Sequence, residues 1–220
     1  MNKNIVLGAV AALVLGVGAF VLSSGGDQVA ETAFAPANAQ STDAEIDTSS
    51  VRDMAIGAED APVTIIEYAS FTCPHCRTFH ENVYGDLKKD YVDTGKVKFV
   101  FREVYFDRYG LWAGMVARCG DGERYFGIVD LIFENQRDWT QGEPVQIAEN
   151  LKKFGRVAGL DNETLEACMT DGEKAQALTA AYQQNAEADN IRATPSFVIN
   201  GTTHSNMSYE EMKRIIDAAL

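Results

Sequence analysis

The chemistry of this chain is concentrated in six consecutive residues, Phe71-Thr72-Cys73-Pro74-His75-Cys76. Two cysteines stand two residues apart, between an apolar run and a helical pattern. The upstream run, Val63-Thr64-Ile65-Ile66-Glu67-Tyr68-Ala69, is rich in β-branched and aromatic residues and reads as a strand. Downstream, Phe79, Val83, Leu87 and Tyr91 recur at helical spacing, which predicts a helix over about 74–92. Pro74 then takes the first helical position, where its missing N–H costs nothing. Cys73 is left at the helix N-terminus, facing unpaired backbone N–H groups. The thiolate is the reactive form of cysteine. A helix N-terminus and a neighbouring imidazolium, here from His75, both lower a thiol below its ordinary pKa of about 8.5. The chemistry implied is thiol–disulfide exchange. Cys73 is the attacking and attacked sulfur, and Cys76, one turn into the helix, resolves the mixed disulfide.

Other readings of the same residues are weaker. Cys73-x2-Cys76-x3-His80 offers three ligands to a metal, but no second Cys/His cluster supplies a fourth. No metal site and no cofactor is therefore expected, and His80 reads as a partly buried helix residue. Soft thiolates also select Cu(I), so an exported metal-binding protein is the alternative from another class. No Met-rich or His-rich tract supports it. A structural Cys73–Cys76 bridge would close too short a loop to restrain the unfolded chain much.

With 220 residues, 46% of them hydrophobic, the chain can bury a substantial core as one domain or one domain with an insertion. A formal net charge of −13 excludes a nucleic-acid partner. Residues 5–22 form an uncharged apolar run behind Lys3, longer than a usual secretory h-region and slightly short of a spanning helix. Ala37-Asn38-Ala39 resembles a cleavage site but lies far beyond Leu22, so the balance falls toward an uncleaved membrane anchor over a signal peptide. In either case the remainder is exported, with residues 23–50 as a flexible tether. That tether shows no heptad pattern, and a monomer is expected. The cysteine count agrees with export: Cys73, Cys76, Cys119 and Cys168 are the four. Cys119 follows Trp112, Met115 and Val116 at helical spacing, and Cys168 follows Leu165 by three. Both point inward from their helices on this reading, which predicts a Cys119–Cys168 bridge, against the alternative of two buried free thiols.

Further along, Lys96 to Val104 alternates and reads as a second strand, completing a βαβ unit with a parallel pair. A purely helical stretch follows, with amphipathic patterns around Tyr125–Phe133, Glu143–Ala158, Asp161–Met169 and Glu173–Ala188. Ser196-Phe197-Val198-Ile199 restores strand chemistry. Asn200-Gly201 is a hairpin turn, and Thr202-Thr203-His204 pairs back. Ser208 and Glu211 form a capping box for a last helix. The order βαβ, helical block, ββα makes one small α/β sheet with a helical insertion.

That order, with Cys-Pro-His-Cys after the first core strand, resembles the DsbA family of exported thiol–disulfide oxidoreductases over about Val51 to Leu220. The resemblance implies an α/β, thioredoxin-like fold with an inserted all-helical domain. The thioredoxin-like part would be residues 51–107 and 190–220, and the insert residues 108–189. It implies that Ala193-Thr194-Pro195-Ser196 is the family's cis-proline loop, with Thr194 and Pro195 binding substrate backbone. It also implies that Glu67, interrupting an apolar strand, helps move protons to and from the cysteines. Reduced or unfolded exported proteins are the implied substrates, and a membrane redox partner reoxidises the dithiol. Thr194 departs from the Val of the best-known oxidases and resembles disulfide isomerases. A reductase or isomerase of the same fold is therefore the runner-up. Cys119 and Cys168 resemble the second disulfide of a subgroup.

Overall fold

The computed structural model of the protein describes residues 46–120 and 122–220. The expected anchor or signal run, the Ala37-Asn38-Ala39 site and nearly all of the tether lie outside the described residues. Among the described residues no helix is long and apolar enough to cross a membrane.

A five-stranded sheet organises the fold. Its strands are β1 (Met54–Ile56), β2 (Val63–Ala69), β3 (Val97–Glu103), β4 (Ser196–Ile199) and β5 (Thr202–Ser205), in the spatial order β1-β3-β2-β4-β5. β2 and β3 are parallel and the other pairs antiparallel. The parallel pair needs a crossover, and α1, a continuous helical run over residues 74–92, provides it. This run alternates α-helical segments, Pro74–Phe79 and Gly85–Leu87, with π-helical ones, His80–Tyr84 and Lys88–Val92. The hairpin between β4 and β5 turns at Asn200 and Gly201, both at positive φ (45° and 82°), which the Asn-Gly pair supplies at little cost. β1 has no counterpart in the sequence reading. Three residues are too few to show a period.

Between β3 and β4 run α2 (Arg108–Ala117), α3 (Tyr125–Glu134), α4 (Gln136–Trp139), α5 (Pro144–Val157), α6 (Asn162–Thr170) and α7 (Gly172–Ala188); α8 (Tyr209–Ala219) closes the chain. Local chemistry sets several of their starts. Asp107, Asp161, Asp171 and Ser208 each accept a backbone N–H of the first turn at the N-cap. Cys119 and Cys168 are joined as a disulfide, with Cα atoms 5.8 Å apart. Cys168 lies on α6, as its spacing suggested. Cys119 falls two residues past the end of α2, so its helical spacing overran the helix.

Strand alternation sorts the core. Val63, Ile65 and Ala69 of β2 join a large cluster with α1 and the inserted helices, while Tyr68 packs behind the sheet with Val104, Val198 and Tyr182 of α7. One buried ion pair ties sheet to insertion. Arg118 donates to both carboxylate oxygens of Glu103, each at 2.6 Å, and Tyr125 Oη donates to Glu103 Oε1 at 2.7 Å. Removing one partner of such a pair strands the other charge in the core. Arg118→Met is expected to lower the unfolding free energy by about 3–5 kcal/mol. Combining it with Glu103→Leu should recover part of that loss in denaturant titrations. A single variant as stable as the parent would show the pair to be solvated.

Candidate active site

The site forms where β2 ends and α1 begins. Cys73 has extended backbone (φ −80°, ψ 120°) at the N-cap, and Pro74 is the first helical residue. Cys73 is half-buried, Cys76 is fully buried, and both are free thiols. The loop before them is held from two sides. Thr72 Oγ1 donates to Asp107 Oδ2 at 2.6 Å, while Asp107 also caps α2. Gln136 Nε2 donates to the carbonyls of Phe71 and Cys73, at 2.8 and 3.0 Å. Gln136 belongs to a four-residue helix whose sequence carries no period, and nothing in its surroundings in the chain marked it.

The third wall comes from the other end of the fold. Antiparallel pairing of β4 with β2 sets Ser196 opposite Tyr68, which brings the preceding loop alongside Cys73. The Thr194–Pro195 peptide is cis. Ser196 Oγ donates to the Ala193 carbonyl at 2.7 Å and pins that loop. The Cys73 thiol lies 3.6 Å from the Thr194 carbonyl oxygen.

These neighbours make the two sulfurs unequal. The Cys73 thiol is pulled down to about 5, first by the Cys76 S–H donating to it. The Thr194 hydroxyl and the backbone N–H groups of Cys76 and His75 add to this, against partial burial. His75 thus contributes its backbone, with its side chain exposed. The sequence had pointed to its imidazole. The Cys76 thiol is driven far upward, first by burial, then by its bond to Cys73 and by the charge of Glu67. Cys73 is therefore the thiolate and Cys76 the proton donor beside it.

Glu67 is fully buried in the central strand, in register between Phe101 and Phe197. Strand alternation points it to the same side as Ile65 and Ala69, toward α1. There its Oε2 lies 3.0 Å from His80 Nε2. The His80 ring is 5% exposed and stacks on Phe133, with centroids 4.1 Å apart. The sequence predicts a partly buried helix residue at His80 and no partner for it. The available signal was its position one turn beyond Cys76 on the inward face. Among the described residues no group of three or more His, Cys, Asp or Glu is arranged to hold a metal ion. Outside the dithiol a cleft of about 380 Å³ opens beside Pro74, lined among others by Thr72, Arg77, Asp107, Tyr109 and Gln136.

Comparison with known proteins fits this geometry. A family model described as thioredoxin matches residues 49–218. A Rickettsia typhi protein named as a candidate protein-disulfide oxidoreductase is 32% identical over 169 residues, covering 76% of this chain and 62% of the relative. The chain thus spans less than two thirds of that relative's length. Disulfide bond formation protein D of Bacillus subtilis is 29% identical, over 75% of this chain and 76% of its own. Among solved structures, alpha-DsbA1 of Wolbachia pipientis superposes with a TM-score of 0.70 at 27% identity, covering 77% of this chain and 91% of that one. BdbD of Bacillus subtilis, in its oxidised form, gives 0.65 at 25% identity, covering 76% and 92%.

The low Cys73 value has a consequence for stability. In the fold Cys73 titrates near 5, and in the unfolded chain near the ordinary value of about 8.5. A depressed folded value stabilises the reduced protein fully above the unfolded value, and the effect is lost as pH falls through the folded one. The disulfide form has no such term. Denaturation of both forms should show the reduced form gaining on the oxidised one as pH rises from about 5 to about 8.5. Thr194→Val, which deletes the hydroxyl, should raise the lower limit of that window. A difference independent of pH would contradict a depressed Cys73.

Proposed function

The chain belongs to the thioredoxin family, and from that premise we propose that it is an exported oxidase that introduces disulfide bonds into other exported proteins through Cys73 and Cys76. The observation carrying this reading is the inequality of the two sulfurs: a thiolate at Cys73 backed by a buried, protonated Cys76. A thiolate held this low is a good leaving group, so the disulfide that releases it is readily reduced.

The exchange follows from that placement. A substrate thiolate attacks Cys73 Sγ of the disulfide form. The Cys73–Cys76 bond breaks, a mixed disulfide forms, and Cys76 leaves as a thiolate that takes up one proton. A second substrate thiolate attacks the substrate sulfur of the mixed disulfide. The substrate disulfide forms and Cys73 leaves as the stabilised thiolate. Two electrons have passed from substrate to enzyme. The extended substrate lies along Thr194 and Pro195 and into the cleft beside Pro74. Glu67 serves the proton on Cys76, and His75 and Pro74 shape the N-terminal turn under Cys73.

Residues 5–22 carry the chain out of the cytoplasm as a signal or anchor, to the periplasm or its equivalent. There a membrane redox partner takes the two electrons, and the enzyme works as a monomer. Thr194, whose carbonyl lies 3.6 Å from the Cys73 sulfur, favours the second reading of a disulfide isomerase or reductase. The deciding experiment is equilibration of the Cys73–Cys76 pair with a glutathione redox buffer. The oxidase reading expects a potential well above that of the glutathione couple. A potential near that of thioredoxin, about −270 mV, would transfer the function to the reductase or isomerase reading.

A further inference from the structure

Among the buried polar atoms of the described residues that lack a hydrogen-bond partner in the protein, two belong to touching side chains: Glu67 Oε1 and His80 Nδ1. Buried polar atoms are nearly always bonded, so two orphans on one pair demand an explanation. The pair is joined through its other atoms, Glu67 Oε2 and His80 Nε2, at 3.0 Å. On one side stands Cys76, buried as completely as Glu67 and close enough for the carboxylate's charge to act on its thiol. On the other side His80 lines a cavity of about 280 Å³ with Glu81, Asp130, Phe133 and Glu134. Such a cavity is polar and has ample room for water. The stack on Phe133, and Tyr84 with its ring centroid 4.8 Å away, hold the imidazole between Glu67 and this cavity.

We infer that His80 is a positioning residue that passes the proton of Cys76 between buried Glu67 and water in the cavity beside Asp130. The inference rests on the exchange chemistry proposed above and adds the route by which its proton moves. Cys76 must gain one proton when it leaves the disulfide and lose one before it attacks the mixed disulfide. On the outward path the Cys76 S–H proton passes to the Glu67 carboxylate. Glu67 returns to carboxylate by giving a proton to Nε2, and the ring releases its Nδ1 proton to water. The inward path is the reverse. Each passage leaves the ring's charge unchanged and moves its proton to the other nitrogen. One inward and one outward passage per cycle therefore restore the ring without rotating it.

The groups facing the ring come from three elements. Glu67 stands on β2, and Asp130 and Glu134 on α3. On α1 are Cys76, Tyr84 and Glu81, the last paired with Arg77 at 3.3 Å. The acidic rim of Glu81, Asp130 and Glu134 concentrates protons at the cavity mouth. Burial raises the carboxyl of Asp130.

The test uses the full chain with glutathione attached to Cys73 as a mixed disulfide. It follows release of glutathione by Cys76 between about pH 5 and pH 8.5, relative to the rate at which Cys73 itself attacks oxidised glutathione. His80→Gln keeps a donor toward Glu67 but has no second nitrogen to relay through. It is expected to slow release by about tenfold at the acid end relative to the Cys73 attack, with the deficit closing as hydroxide takes over. Asp130→Asn, at the cavity, should give a smaller deficit of the same pH shape and keeps the test open if His80→Gln does not fold. Added imidazole should restore release in His80→Ala. Wild-type pH profiles in both His80→Gln and Asp130→Asn would overturn the relay while leaving the exchange chemistry standing. A wild-type Cys73 that fails to attack oxidised glutathione would overturn the exchange chemistry, and the relay with it.

Discussion

The pull of the Cys76 thiol on the Cys73 sulfur is the interaction on which the rest of the site depends. Two chemically identical groups one helical turn apart must hold different protonation states. They do so because one sulfur is at the helix N-terminus and the other inside the helix. Strand β2 fixes where the turn occurs, Pro74 starts the helix, and Thr194 from the far end of the chain completes the shell around Cys73. If the two cysteines exchanged burial, the nucleophile would lie in the core and the proton donor in water.

Glu67 and Glu103 are both buried, on adjacent strands and on the face that packs against the helices. They illustrate two uses of a buried acid. Glu103 is saturated by Arg118 and Tyr125, and acts as a clamp between sheet and insertion. Glu67 is left with a free oxygen against a histidine with a free nitrogen. Core geometry of that kind is costly as structure. It makes sense where a proton has to move.

Much of this was legible in the chain. The two central strands, the helix between them, the Asn-Gly hairpin and the Ser208 cap are local signals, and each appears within a residue or two of its expected place. The dithiol was legible for the same reason, since its spacing and its strand–helix setting are local. The parts that were not legible depend on packing. His80 became a partner of Glu67 because β2 and α1 face each other, and no sequence period reports which buried groups meet. Gln136 reaches the active-site loop from a helix of four residues, too short to show a pattern. His75 was expected to act through its ring, the only feature visible in sequence, whereas its backbone N–H is what reaches the sulfur. Cys119 was placed on a helix that ends two residues before it.

The central claim is that the fold makes Cys73 a thiolate while keeping Cys76 a thiol. Ultraviolet thiolate absorbance of the reduced protein, followed against pH, tests it directly, with Cys73→Ser as the control. The account predicts one thiolate appearing with a midpoint near 5, absent from the control, and no ionisation of Cys76 through the neutral range. A Cys73 midpoint at the ordinary value of about 8.5 would contradict it, because the disulfide would then have no stabilised leaving group to release.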